Sequence, residues 1–269
     1  MRSRHRFILL VLLCTSLIVT RQIRMMRERQ IIPENVRQLV VGTTDSWSST
    51  RIELRRFERT NAREDWRQVG GVIHANAGKN GLAVGLGLAS ARKLRVAKDV
   101  PRKLEGDGKS PAGIFLIGRA YGYEDDAQPM PEGLNYRPLT ESWKCVDDAK
   151  SAHYNRVIDA STVTPDWTSA EDMRRQDWLY KRVIEIAHND GTGPEAENGR
   201  PTPGAGSCIF FHVQRGPEQP TSGCTSMPLE DIEEMIRWFD SSANPAYILL
   251  PADDYNRLSS RRGSDLPNF

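Results

Sequence analysis

The sequence predicts a mainly β fold with a few helices. Short segments rich in β-branched and aromatic residues alternate with turns that contain Ser, Asn and Asp. In the first half, segments 38–43, 51–58 and 66–74 have the length and spacing typical of a β-meander. Further strands are predicted at 114–118 and, beyond the next loops, in the segments 182–188, 208–211 and 246–250.

One helix is indicated clearly, and it begins with Pro228 in its first turn, where Glu230 and Asp231 suit the positive end of the helix dipole. Its apolar residues recur at helical spacing: Leu229, Ile232, Met235, Ile236 and Phe239.

The composition is that of a folded domain with a tail. The chain has 269 residues, of which 38% are hydrophobic and 27% charged. The net charge of +2 is too small to indicate a nucleic-acid partner, and the basic residues are interleaved with acidic ones.

The N-terminus has the pattern of a signal or anchor segment. Arg2, Arg4 and Arg6 precede an uninterrupted apolar run at 7–19, which is as long as a signal core but short for the ~20 residues that span a bilayer. Residues 1–20 are therefore expected to be a cleaved signal peptide or an uncleaved membrane anchor. Either one predicts export to the periplasm or to the outer face of the cytoplasmic membrane.

The remaining chain divides by composition. Residues 21–36 are polar and basic and are expected to form a linker, and 37–252 is expected to be one catalytic domain. Residues 253–269 are predicted to be a polar, frayed C-terminal tail. The Gly- and Pro-rich segment 195–206 is a candidate for a mobile cap.

The chain contains four cysteines, Cys14, Cys145, Cys208 and Cys224. Two interpretations of Cys145 and Cys208 are open: a disulfide, or two buried thiols. We favour the thiols. No Cys-x-x-Cys or His-x-x-x-His spacing is present, so neither a metal site nor a cofactor is predicted.

The chemically informative stretch is 206–227. A short apolar run predicts a buried strand that ends at His212, and a polar loop then leads to Gly223 and Cys224 just before the predicted helix. Either residue alone is more often structural than catalytic. Together, a histidine at a strand end and a cysteine at a loop tip are the layout of a base and a thiol nucleophile.

The chemistry of the pair is plausible. A free thiol has a pKa near ~8.5 and is mostly protonated at neutral pH, so an imidazole that accepts its proton makes it nucleophilic. Gly223 permits an unusual backbone angle, and the N–H groups around Gly223 and Cys224 are candidates to stabilise an oxyanion. Arg215, in the loop between base and thiol, is either a substrate-carboxylate ligand or a solvated loop charge.

The pattern of His212 followed by Thr221-Ser222-Gly223-Cys224-Thr225 resembles the signature of the L,D-transpeptidase (YkuD-type) catalytic domain. The common form of that family has a second histidine where this chain has Ser222, so the chain is similar to a divergent branch. The turn Gly-Asp-Gly-Lys-Ser-Pro-Ala-Gly at 106–113 is a second, independent match, because a similar turn introduces a core strand in the family.

The resemblance implies a β-sandwich with a few helices and a cleft beside the cysteine. It also implies that Cys224 is the acyl-accepting nucleophile, that His212 is the general acid and base, and that the Gly223 backbone lies in the oxyanion region. Arg215, Ser222 and Thr225 become the expected substrate-binding residues. The implied partners are peptidoglycan stem peptides, as acyl donor and as acceptor of a cross-link.

Several outcomes stay open at this stage. Water could capture the thioester, which would make the protein an L,D-carboxypeptidase or a cross-link hydrolase. An amine of an envelope protein could capture it instead. A different class of protein is a non-catalytic wall-binding module. The intact His212 and Cys224 count against that class.

Other polar residues have weaker claims. His188 is the second candidate for the base, but no cysteine motif follows it at loop distance. Asp107 and Lys109 are predicted to set a turn rather than to act as an acid/base pair. The two aspartates at 147–148 are expected to be part of a cleft or a turn. The histidines His74 and His153 are expected to be structural or surface residues.

Overall fold

The computed structural model describes residues 30–123 and 132–269, and this part of the chain is mainly β, as predicted. Its strands are β1 (Gln38–Thr44), β2 (Arg51–Glu58), β3 (Arg67–Asn76), β4 (Leu82–Val84), β5 (Ser110–Tyr123), β6 (Arg137–Leu139), β7 (Trp143–Val146), β8 (Val157–Asp159), β9 (Ala170–Asp172), β10 (Arg182–Ile186), β11 (Phe210–Val213), β12 (Thr225–Met227) and β13 (Ala246–Pro251). The α-helices are α1 (Ala91–Leu94), α2 (Leu229–Trp238) and α3 (Ala252–Ser259). Short 3-10 helices occupy Glu132–Leu134, Ala160–Thr162 and Ser241–Ala243.

The main sheet closes on itself. Its strand order is β10-β11-β12-β3-β2-β1-β13-β5-β4, with β6 beside β5, and an additional pairing joins β10 to β5. Antiparallel pairs are more numerous, but four pairs are parallel: β1 with β13, β11 with β12, β4 with β5, and β5 with β6. The two separate facing sheets of a sandwich are not confirmed, because one continuous path of hydrogen-bonded strands joins these elements. β8-β7-β9 form a second, small sheet.

The core lies inside the closed sheet and under α2. β1 and β13 are buried along their whole length, which explains the continuous apolar run of β13 and the apolar segment of β1 at 39–41. β2 alternates between exposed and buried positions, as expected of a strand with one solvated face. Helix α2 begins after Pro228 and buries Ile232, Met235 and Ile236, so the predicted helix and its apolar face are confirmed.

The predicted linker is partly wrong. Within 21–36, the described residues belong to the domain, because Ile31, Ile32 and Val36 are buried. The N–H groups of Ile31 and Ile32 both donate to the Asp265 carboxylate, at 2.9 Å each. The predicted signal or anchor segment at 1–20 lies outside the described residues. Within 30–123 and 132–269, no helix has the length and apolarity needed to cross a bilayer.

The predicted frayed tail at 253–269 is wrong. It contains helix α3, whose Tyr255 and Leu258 are buried, and Tyr255 donates its hydroxyl hydrogen to the Pro267 carbonyl at 2.7 Å. The last residue, Phe269, stacks on Phe57 with 5.5 Å between ring centroids. The polar composition of this segment hides a few apolar residues that share one face, and those residues are sufficient to dock it.

The expected free thiols at Cys145 and Cys208 are wrong as well, because these residues form a disulfide with a Cα–Cα distance of 6.0 Å. The bond joins β7 of the small sheet to the segment just before β11. The two cysteines are separated by 63 residues, a distance over which the sequence gives no indication of contact.

The Gly- and Pro-rich segment at 195–206 is fastened to the domain rather than free. The Asn189 side chain exchanges hydrogen bonds with the backbone of Thr202 and also donates to the Gly206 carbonyl. His188 donates from Nε2 to the Ala205 carbonyl at 2.9 Å. These contacts argue against a mobile cap at the base of this segment.

We predict that Asp265→Ala lowers the free energy of unfolding by about 2 kcal/mol, because two backbone N–H groups lose a charged acceptor. Asp45→Ala is the matched control, since Asp45 is exposed and has no side-chain hydrogen bond among the described residues. Urea unfolding of both variants measures the difference. Equal stabilities would show that the Asp265 carboxylate does not hold the segment at Ile31 and Ile32.

Candidate active site

A cleft of about 410 Å³ lies at the ends of β11 and β12, and both His212 and Cys224 line it. The two strands are neighbours in the sheet, with His212 opposite Ser226 in the register. The residues predicted to be base and nucleophile, which lie in separate parts of the sequence motif, are therefore brought to one site.

The position of the His212 ring defines its tautomer. Nδ1 lies 2.8 Å from the Val213 carbonyl oxygen, which can only accept a hydrogen bond. Nδ1 therefore carries the hydrogen, and Nε2 presents a lone pair, as a general base requires. The ring of Tyr180 meets the imidazole edge-on, with 5.5 Å between centroids, and fixes its orientation from the other side.

The backbone around Cys224 is held by side-chain hydroxyls. Ser110 and Thr221 both donate to the Cys224 carbonyl, at 3.0 and 2.6 Å. The thiol itself donates to the Cys208 carbonyl at 3.4 Å. Gly223 has φ of +151°, and a Cβ at that position would lie 3.1 Å from the Lys109 carbonyl oxygen, which explains the glycine before the thiol.

The expected oxyanion donors differ in their availability. The Gly223 N–H donates to Thr221 Oγ1 at 3.0 Å and is thus already engaged. For the Cys224 N–H, no acceptor is found within residues 30–123 and 132–269. The Cys224 amide is therefore the better candidate of the two for holding a developing negative charge.

Both reacting groups are neutral at pH 7. Burial raises the pKa of the Cys224 thiol to about 12, and the nearby Glu171 carboxylate adds to this shift. Burial lowers the pKa of His212 to about 4, although the Val213 carbonyl partly opposes it by accepting a hydrogen bond. The resting site is a thiol beside a neutral imidazole, not a thiolate–imidazolium pair, so the thiol proton must leave as the sulfur attacks.

A polar network supports the histidine from one wall of the cleft. Tyr180 donates its hydroxyl hydrogen to Glu171 at 2.8 Å, and Arg175 donates to the same carboxylate oxygen at 3.1 Å. Arg175 also bonds to Asp177, at 3.2–3.3 Å. The sequence assigned no role in the site to Glu171 or Tyr180.

The predicted substrate-binding residues have different positions. Arg215 is exposed on the rim of the cleft, and Ser222 lines it. Thr225 is wrong as a substrate ligand: it is only 1% exposed, and its hydroxyl lies 3.4 Å from the Tyr247 hydroxyl inside the sheet. As the first residue of β12, it points away from the cleft.

Lys79 is a cleft residue that the sequence did not indicate. Its N–H donates to the Thr221 carbonyl at 2.8 Å, which ties it to the loop that carries Cys224. Its side chain is exposed and lines the cleft, and no ion-pair partner for it is found among the described residues.

The other sequence candidates are structural. His188 is held at both ring nitrogens, by the Leu86 N–H and the Ala205 carbonyl, and does not line the cleft. Asp107 accepts from the N–H groups of Leu104 and Lys109 and pairs with Lys103 at 2.6 Å, which is the predicted turn role.

The remaining candidates also fit structural positions. Asp148 accepts from the N–H groups of Lys150 and Thr168, whereas Asp147 lines the cleft. His153 packs edge-on against Trp167, and His74 is exposed on β3.

Within the described part of the chain, no group of three or more His, Cys, Asp or Glu residues is arranged to hold a metal ion. Comparison with protein-family models, curated proteins and solved structures finds no match to this chain. The class of the site therefore rests on its geometry: a thiol and a neutral imidazole in one cleft.

We predict that Glu171→Gln increases the rate of Cys224 alkylation by iodoacetamide roughly threefold to tenfold at pH 8.5, because loss of the carboxylate charge lowers the pKa of the thiol. Glutamine keeps an acceptor for the Tyr180 hydroxyl. Asp172→Asn is the control, since Asp172 is exposed and pairs with Lys144 instead. Peptide mass spectrometry gives both rates, and equal rates would contradict the electrostatic role of Glu171.

Proposed function

We propose that this protein is a cysteine acyltransferase of the cell wall, an L,D-transpeptidase that forms peptidoglycan cross-links through a thioester at Cys224. The observation that supports this most is that His212, with a free Nε2, lies in the same cleft as the Cys224 thiol. The motif around Gly223 and the mainly β fold are consistent with an L,D-transpeptidase-like domain.

In the first half-reaction, the Cys224 sulfur attacks the carbonyl carbon between the third stem residue and a terminal D-alanine. His212 Nε2 accepts the thiol proton as the S–C bond forms, and the Cys224 N–H donates to the oxyanion. The C–N bond then breaks, and the imidazolium delivers its proton to the departing D-alanine amine.

In the second half-reaction, the side-chain amine of another stem attacks the thioester. The C–N bond of the 3→3 cross-link forms and the C–S bond breaks. His212 takes the proton from the attacking amine and returns it to the sulfur, which restores the neutral thiol and the neutral imidazole.

Two exposed cations that line the cleft suit an acidic peptide. Lys79 is tied through its N–H to the loop that carries Cys224, and Arg215 follows His212 closely in the chain. The carboxylates that line the same cleft belong to Glu105, Asp147 and Glu171. A stem peptide carries several carboxylates, which such cations bind. We include Ser222, which also lines the cleft, as a polar contact to the substrate.

Export is part of the proposal. The Cys145–Cys208 disulfide fits an oxidising compartment, such as the periplasm or the outer face of the cytoplasmic membrane. Residues 1–20, with their signal-like sequence, would provide the route there and, if they stay attached, a membrane contact.

The same thioester permits other outcomes. Capture by water would give an L,D-carboxypeptidase or cross-link hydrolase, and capture by a protein lysine would give a protein-to-peptidoglycan transferase. A non-catalytic wall-binding module would leave the Cys224 thiol unused.

The deciding experiment is mass spectrometry of the full-length protein after incubation with disaccharide-tetrapeptide. We expect a cross-linked dimer and an acyl adduct mapped to Cys224, and we expect neither with Cys224→Ala. Tripeptide without dimer would assign hydrolysis, and dimer formation by Cys224→Ala would overturn the role of the thiol. Unchanged substrate with unmodified Cys224 would favour the binding module.

We predict that Lys79→Met and Arg215→Met each raise KM for the tetrapeptide about tenfold and change kcat much less, because they remove a carboxylate ligand but leave the reacting groups in place. Lys98→Met is the control, since Lys98 is exposed and does not line the cleft. Steady-state kinetics checks this. A fall in kcat at unchanged KM would mean that these residues act on the chemical step instead.

A further inference from the structure

Cys208 connects the disulfide to the candidate nucleophile. Its sulfur is bonded to Cys145, its N–H donates to Asn155 Oδ1 at 2.9 Å, and its carbonyl accepts the Cys224 S–H at 3.4 Å. All three functional groups of this residue are thus engaged, one of them with the thiol that the proposed reaction uses.

The backbone of Cys208 has an unusual conformation. Its φ is +56°, in the left-handed region that L residues disfavour by roughly tenfold relative to the right-handed one. Such a conformation persists only where the surroundings hold it. Here the side chain is tied to β7 by the disulfide, and the N–H is tied to Asn155, whose own amide donates to the carbonyls of His188 and Asn189 at 2.8 Å.

We propose that Cys208 is a positioning residue for Cys224, and that the Cys145–Cys208 disulfide holds the left-handed backbone that directs the Cys208 carbonyl at the thiol. Cys208 positions the Cys224 thiol whatever acyl group that thiol accepts. This proposal therefore goes beyond the proposed function and does not depend on that function.

The carbonyl stabilises the protonated form of Cys224, because a hydrogen bond to the neutral form disfavours ionisation. The backbone of Phe210, two residues later, acts in the opposite direction and lowers the pKa of the thiol. Phe210 is held in β11 by its register with Glu185, so it stays when Cys208 moves. Without the disulfide, Cys208 relaxes toward extended backbone, the carbonyl turns away, and the thiol ionises more readily.

The other charged and titratable groups near the thiol are the same residues in the two variants compared below. They come from the β10–β11 region, from the walls of the cleft and from the turn before β5: His212, Tyr180, Glu171, Arg175, Asp147, Lys103 and Glu105. A difference between variants at position 208 therefore reports on the carbonyl and not on these groups.

The disulfide borders a second cavity, although both of its cysteines are buried. Cys145 and Cys208 line this cavity, which has a volume of about 460 Å³. A dithiol there would transfer two electrons and two protons, so that Cys145 and Cys208 become thiols and the dithiol becomes a cyclic disulfide. Reduction would then have the same effect on Cys224 as removal of the bond by mutation.

The test compares two disulfide-free variants of the full chain, Cys145→Ala/Cys208→Gly and Cys145→Ala/Cys208→Ala. Glycine adopts positive φ freely, whereas alanine disfavours it. The measurement is the rate of Cys224 alkylation by iodoacetamide between pH 6 and 10 (~0.5-unit steps), mapped by peptide mass spectrometry. Circular dichroism melting establishes that each variant is folded.

We expect the glycine variant to follow the wild-type pH profile, and the alanine variant to be alkylated about threefold to tenfold faster over this range. Wild-type protein reduced with dithiothreitol should behave like the alanine variant, and it replaces that variant if the latter does not fold. Identical profiles for glycine and alanine variants would overturn the proposal, whether both match the wild type or both depart from it. Because no acyl transfer is measured, a failure of the proposed function leaves this result intact.

Discussion

The double pairing of β5 (Ser110–Tyr123) is the constraint on which the site depends. Its first half pairs with β13 at Gly113–Leu116, and its second half pairs with β10 from Ile117 to Gly122, so the sheet has to close. β10 then aligns β11, and β11 aligns β12, which brings His212 on β11 and Cys224 just before β12 to one end of the two strands. The first residue of β5, Ser110, also donates a hydrogen bond to the Cys224 carbonyl. The strand that closes the sheet therefore also positions the residue that carries the thiol.

Burial is the next level of control, because it decides the protonation state of the pair. In water, a thiol and an imidazole would each be partly ionised near neutral pH. In the cleft, desolvation raises the pKa of Cys224 and lowers that of His212, and the Glu171 carboxylate acts on the thiol in the same direction as burial. In the proposed reaction such a pair depends on substrate: the sulfur becomes a strong nucleophile only while His212 takes its proton, and the Cys224 N–H then donates to the oxyanion that forms.

The sequence predicted those features that leave a local pattern. Alternation in β2, the apolar run of β13 and the helical spacing of α2 are local, and so is the grouping of His212, Gly223 and Cys224. The disulfide, the docking of Phe269 on Phe57 and the position of Lys79 depend on contacts between distant segments, which no short pattern encodes. The prediction that Thr225 binds substrate was wrong for a different reason. Alternate residues of a strand point to opposite faces, and the face on which the first residue of β12 lies depends on the register of β12 with β11.

The structure contains two kinds of cysteine whose requirements conflict. The Cys145–Cys208 bond needs an oxidising compartment, whereas a nucleophile has to stay a free thiol in the same compartment. Oxidation and disulfide exchange proceed through the thiolate, so a thiol with a raised pKa is protected from both. The burial and the Glu171 carboxylate that keep Cys224 protonated therefore also keep it available, and in the proposed reaction proton removal then waits for His212 and a bound acyl donor. A high pKa at Cys224 is thus compatible with a catalytic role, because it limits the thiolate to the moment at which a carbonyl carbon is in place to receive it.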